Sequence, residues 1–141
     1  MRLTMFTDFG LRALMRLAAE PDRTFTTEAL AKELAISRHH LNKVVQALAE
    51  AGFVSTRRGG GGGLKLARPA AGIGLGEVVR RLEAPQALVE CFRDESSPCT
   101  FLPRCRLRAR LAKARDAFMA DLDRSTLADC IEPQRAIGGR R

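Results

Sequence analysis

The stretch from Thr26 to Arg68 constrains the fold more than any other part of the chain. A short helix is predicted over about 27–35, capped by Thr26 or Thr27, with Glu28 in the first turn where a carboxylate suits the positive end of the helix dipole. After a turn of about three residues, Ser37 offers an N-cap to a second helix running to Ala51, where Gly52 supplies the stop. Within it Leu41, Val44, Val45, Leu48 and Ala49 recur at helical spacing, so one face belongs to a core. The opposite face carries Arg38, His39, Asn42, Lys43 and Gln46, a row of hydrogen-bond donors. Two short helices joined this way, the second presenting such a row, have the form of a helix-turn-helix.

The next segment extends that form. Residues 53–57 and 64–68 read as strands, and between them lie Arg58 and five glycines, which makes a hairpin with a flexible basic tip. Helix-turn-helix followed at once by a basic hairpin is the order of a winged helix. From Ser37 to Arg68 the bases Arg38, Lys43, Arg57, Arg58, Lys65 and Arg68 stand against Glu50 alone, which suits a polyanionic partner. The glycine run sits between two strands and not at a strand-to-helix turn, so it is not a phosphate loop. With no flavin, nicotinamide or nucleotide motif elsewhere, an enzyme is not expected.

The remaining chain is predicted to be mostly helical. A first helix over 5–20 is capped by Thr4 and spaces Leu11, Leu14, Leu17 and Ala18 on one face. Another, roughly 74–83, sets Val78, Val79 and Leu82 together and stops at Pro85. Residues 84–105 have no clear period and contain three prolines. From Arg106 to about Asp123 runs the strongest helical pattern, with Leu107, Leu111, Ala114, Phe118 and Leu122 in a near-heptad seam that suggests packing against a symmetry mate. The expected fold class is mainly α with a small β-hairpin wing: a winged helix-turn-helix over 1–83, a cysteine-rich loop over 84–105, a dimerisation helix and terminal turn over 106–132, and a tail over 133–141.

At 141 residues and 45% hydrophobic content there is enough apolar surface for one core and no room for a large two-domain enzyme. The net charge of +8, with no Trp or Tyr to stack on bases, favours double-stranded over single-stranded nucleic acid. No apolar run approaches the ~18 residues of a membrane span, and charges interrupt the first 20 residues, so a cytoplasmic location is expected.

In a reducing compartment, Cys91, Cys99 and Cys105 are better read as ligands or redox groups than as disulfide partners. Three thiols in a C-x7-C-x5-C pattern on a proline-broken loop point to an iron-sulfur cluster, to zinc, or to free thiols. The spacing is wider than in zinc knuckles. Cys130 lies in what reads as a short packed turn capped by Thr126. Asp8 has two readings, an i,i+4 partner for Arg12 or a cluster ligand. The acid-free run Arg104, Arg106, Arg108, Arg110, Lys113 and Arg115 either compensates an anionic cluster or is a solvated helix face.

The segments MRLTMFTDFGLRAL, SRHHLNKVVQALAEAGFV and RRGGGGGLKLARPAAGIGLGEVVRRLE, the three loop cysteines and TLAD near the end together resemble the NsrR, IscR and RirA family of winged-helix iron-sulfur regulators. Within it the chain is most similar to the nitric-oxide-sensing NsrR branch, while the x7 cysteine gap resembles the iron-responsive RirA branch. The resemblance implies a homodimeric, DNA-binding repressor with a 4Fe-4S or 2Fe-2S cluster. In that arrangement Cys91, Cys99 and Cys105 of one protomer hold the cluster, and Asp8 from the other is the weaker fourth ligand. Third helices of the dimer would enter successive major grooves of a pseudo-palindromic operator, about 34 Å apart. Arg38, His40, Lys43 and Gln46 would reach base edges or their surroundings, and Thr27, Ser37, Arg57, Arg58 and Lys65 the phosphates.

Overall fold

The computed structural model describes residues 2–83, 87–93 and 97–131. The expected tail over 133–141 and the domain boundary at 84 lie outside those residues. The N-terminal part contains helix α1 (Met5–Ala19), α2 (Thr27–Leu34), α3 (Arg38–Glu50), strands β1 (Val54–Arg57) and β2 (Gly63–Leu66), and α4 (Leu75–Glu83). Helix α5 (Arg106–Leu122) follows the cysteine segment, and short 3-10 turns occur at Ala70–Gly72, Glu90–Phe92 and Leu127–Cys130.

Each of the first three helices begins on a hydroxyl. Thr4 accepts from the Thr7 amide at 3.2 Å, Thr26 from Ala29 at 3.0 Å, and Ser37 from His40 at 3.2 Å. A hydroxyl in this position satisfies one of the amides that a helix start leaves without a partner. Between α2 and α3 the chain turns through Ala35 in the left-handed region (φ 53°), with the Ile36 amide donating back to Ala31. That closes α2 in time for Ser37 to open α3, and it fixes the helix-turn-helix angle.

One core joins these elements. Leu14 and Leu17 of α1, Leu30 of α2, Leu41, Val44 and Leu48 of α3, and Val78 and Leu82 of α4 are buried together with Phe25 and Phe53. The two strands pair antiparallel with Val54 opposite Leu66 and Arg57 opposite Gly63. They are shorter than expected from 53–57 and 64–68: Phe53 is pulled wholly into the core, and Arg68 leaves the sheet to bond Gly72 and Glu77. Phe25 adds a one-residue third strand, exchanging backbone hydrogen bonds with Leu64 at 3.1 and 2.6 Å. Gly63 permits this approach, because it sits at φ +151° and a Cβ there would run into the Phe25 carbonyl and Thr24.

Among the described residues of the C-terminal part, Leu127 alone is fully buried in the core, and its amide donates to Ile73 at 2.8 Å. Nearby, Leu75 donates to Ser125, and Arg80 of α4 grips Asp123 with two hydrogen bonds of 2.7 and 2.5 Å. Helix α5 contributes no buried residue. Of its expected seam, Leu107 is 65% exposed, Ala114 is exposed, and Leu111, Phe118 and Leu122 are half-buried. Among the described residues no helix is long and apolar enough to cross a membrane.

Candidate nucleic-acid interface and cysteine site

Packing four apolar residues of α3 inward turns the rest of the helix out. Arg38, His39, His40, Asn42, Lys43 and Gln46 are all exposed, and so are Ser37 at the helix start and Arg57 and Arg58 at the wing. Among the described residues, none of Arg38, Lys43, Arg57 and Arg58 is in an ion pair. Arg68 differs: it is spent on Glu77 at 2.8 Å and lies over the Phe53 ring. Gln46 bonds Glu50 one turn on, and the Lys65 ammonium donates to the Asp22 carbonyl at 3.2 Å. Thr27 is the first helical residue of α2, half-buried, behind the cap Thr26.

The wing is braced from behind by charges that cancel one another. Arg16 bonds Glu20 and Glu33, Arg23 bonds the same two carboxylates, and both guanidiniums lie over the Phe25 ring at 4.8 and 4.1 Å. Hydrogen bonds from Arg23 and Arg16 hold Glu33 below the usual carboxylate range, and a bond from Arg16 does the same for Glu20. This network lends rigidity to the ring that carries the extra strand, and it leaves the unpaired positive charge on α3 and the hairpin.

The three loop cysteines stand in different settings. Cys91 is half-buried in the 3-10 turn, Cys99 is exposed, and Cys105 caps α5, its sulfur accepting from the Arg108 amide at 3.4 Å. Arg108 also reaches back, its Nε donating to the Cys91 carbonyl at 3.3 Å, so one arginine touches both the first and the third cysteine. Among the described residues no three His, Cys, Asp or Glu side chains are gathered closely enough to hold a metal ion. The donor chemistry nevertheless fits an anionic thiolate cluster: soft sulfur ligands are available, one sits at the positive end of a 17-residue helix, and Arg93, Arg104 and Arg106 are exposed beside them.

Asp8 is placed on α1 and pairs with Arg12 at 2.8 Å, both side chains largely in solvent. Cys130 is half-buried in the last 3-10 turn, which Thr126 and Asp129 close with a capping box. Sequence reasoning passed over Phe92, whose ring lies 5.6 Å from the Arg108 guanidinium and 5.1 Å from that of Arg115. Only the i,i+7 spacing of those arginines, after an aromatic in the cysteine segment, could have signalled it.

A family model, Rrf2: iron-dependent transcriptional regulator, matches residues 3–133. The structure is similar to CymR, the global cysteine regulator of B. subtilis, with 27% identity over 92% of this chain and 95% of that one and a TM-score of 0.74. CymR of Staphylococcus aureus is similar at 28% identity, 92% and 98% coverage and a TM-score of 0.70. IscR of T. potens superposes with a TM-score of 0.75 over 98% of this chain and 94% of its own, at 24% identity, a likeness of fold.

Proposed function

Since the chain belongs to the Rrf2 family of transcriptional regulators, we propose that it is a homodimeric, iron-sulfur-dependent repressor that releases its operator in response to nitric oxide. The observation that carries the reading is the pairing of two features on one small chain: an exposed, unpaired row of bases on α3 and the wing, and a three-cysteine segment whose last member caps α5. Cys91, Cys99 and Cys105 would hold a 4Fe-4S or 2Fe-2S cluster, with the partner's Asp8 as a fourth ligand. When bound, that group supplies iron able to react with a small diatomic molecule.

The residues of the chain do the rest. Arg38, His40, Lys43 and Gln46 read base edges or their surroundings from the major groove, and Ser37, Thr27, Arg57, Arg58 and Lys65 hold phosphates on either side. Thiolates that are brought together fix Cys91, Cys99 and Cys105 relative to the start of α5, and that arrangement sets how α5 seams carrying Leu107, Leu111, Ala114, Phe118 and Leu122 pack in the dimer. Loss of the thiolate geometry relaxes the seam and moves the two α3 helices off their spacing, a shift between two states.

Anaerobic purification followed by titration with nitric oxide tests this. Bleaching of the visible absorbance together with release of operator DNA is the expected result; an intact complex after bleaching overturns it. A second reading, response to iron or cluster status, is favoured by the x7 cysteine gap and by the iron-dependent description of the family. It predicts release on iron chelation with no response to nitric oxide.

A further inference from the structure

Arg108 and Arg115 are seven residues apart on α5, so their Cα atoms are separated along the axis by about 10.5 Å. The Phe92 ring centroid lies 5.6 Å from the Arg108 guanidinium and 5.1 Å from that of Arg115. Seven residues are close to two helical turns, so both side chains start from the same face of α5, and each guanidinium lies within cation-π range of the ring. Arg115 is steadied from outside by two hydrogen bonds to Asp116, at 2.9 and 2.8 Å. Arg108 is steadied by its bond to the Cys91 carbonyl. Phe92 and Arg108 are both half-buried, although α5 has no fully buried residue.

We propose that Phe92, Arg108 and Arg115 form a clamp that holds Cys91 against the start of α5 in the metal-free chain, presenting the Cys91 and Cys105 thiols as a preassembled pair. The clamp rests on the cluster reading and gives these three side chains a positioning role in it. Arg108 is the central member. Its backbone amide meets the Cys105 sulfur and its side chain meets the Cys91 backbone, so the two cysteines are kept within the reach of one residue. Cation-π contacts from both arginines to Phe92 then hold the 3-10 turn to α5. With two thiols already placed, assembly has only to recruit the exposed Cys99 and a fourth ligand, which lowers the ordering cost of the step.

The test uses the full-length, reduced, metal-free protein and dibromobimane, whose two bromides are displaced by two nearby thiolates to give a fluorescent bridge that peptide mapping assigns. In the unsubstituted chain the Cys91 to Cys105 bridge should dominate. Phe92→Ala and Arg108→Ala should each slow it at least fivefold, and Arg108→Lys, which keeps the charge but not the planar Nε donor, should fall between. Far-UV circular dichroism guards against lost folding, and Arg115→Ala, which removes the other cation on the ring and leaves Arg108 in place, gives a milder second variant. The same variants should slow the growth of visible absorbance during anaerobic reconstitution. Bridging at an unchanged rate in both alanine variants overturns the clamp, and slowed bridging with an unchanged reconstitution rate overturns its role in assembly. Failure of the unsubstituted chain to take up any cluster defeats the cluster reading instead, and the bridging rates then judge the clamp alone.

Discussion

The two ends of the chain are stabilised in different ways. From α1 to α4 every helix commits an apolar face to one core, and the hairpin is locked to it through Phe25 and Leu64. Helix α5 is longer than any of those helices yet has no buried residue, and it is tied to the rest by Arg80 with Asp123, by the Leu127 return and by contacts around Phe92. A helix in that position gains its stability from what packs on it or binds beside it. On the proposed function the α1–α4 head, with its own core, is the rigid end and the cysteine-bearing end with α5 the conditional one, the division a ligand-responsive regulator needs.

Substitutions in the two regions should break that contrast if it is wrong. Leu48→Ala in the core is expected to cost about 2–5 kcal/mol of unfolding free energy in urea titrations. Phe118→Ala on the half-buried seam of α5 should cost the monomer far less and should show instead as dissociation of the proposed dimer in sedimentation. Equal losses of folding stability at the two sites would show that α5 is part of one core.

Effects on DNA come next in size. Arg38→Ala should weaken operator binding by about 1–3 kcal/mol and relax preference at one base position, whereas Arg58→Ala should weaken all sequences alike and lower the salt slope by about 1. Arg68→Ala should leave the salt slope unchanged, because that side chain is already engaged by Glu77. A reduced slope on removing Arg68 would mean that it leaves Glu77 for phosphate, which would enlarge the interface.

The three helix starts and the α3 face were legible in the sequence because they depend on residues three or four apart. Thr4, Thr26 and Ser37 cap their helices as hydroxyls followed by apolar periodicity should. The winged-helix order was legible for the same reason, and the family match agrees with it. What the sequence hid depends on distant pairs. In sequence Arg68 is one more base of the wing, with nothing to mark Glu77 as its partner, Phe25 gives no sign of being a third strand, and Arg108 is one base in a run of six. The cysteine site stood out in spacing, but the partner of each thiol is a matter of long-range packing.

Within the head, a pH-sensitive tie joins α1 to α4. Glu83 accepts from the Thr4 amide at 2.6 Å and from its hydroxyl at 2.9 Å, which fastens the start of α1 to the end of α4. Burial raises the pKa of this carboxyl, but hydrogen bonds from Thr7 and Thr4 outweigh it and leave the pKa lowered. A lowered folded-state pKa means that the ionised carboxylate contributes its stability in full above the ordinary glutamate value of 4.5, and the contribution fades as pH falls through the folded value. Glu83→Gln should remove about 1.5 kcal/mol at neutral pH and flatten the acid limb of the stability profile. An unaltered acid limb would shift that role to other carboxylates.

The smallest effect on folding should come from Asp8. Its bond to Arg12 is an exposed i,i+4 pair, and such pairs are worth about 0.3–0.5 kcal/mol. Asp8→Ala should therefore leave the urea midpoint nearly unmoved. Should the carboxylate also serve the partner's cysteine segment, the same change would alter the visible absorbance and nitric oxide response of the anaerobic dimer while its fold stays intact. A shared ligand of that kind makes the conditional end of one protomer depend on the rigid end of the other, and heterodimers carrying Asp8→Ala in one protomer and Cys99→Ser in the other would separate the two arrangements. With ligands shared across the dimer, both substitutions fall on one site and the second site stays intact, so half the cluster signal survives. With ligands from a single protomer, each site carries one defect: the site lacking Cys99 is lost and the other lacks only Asp8.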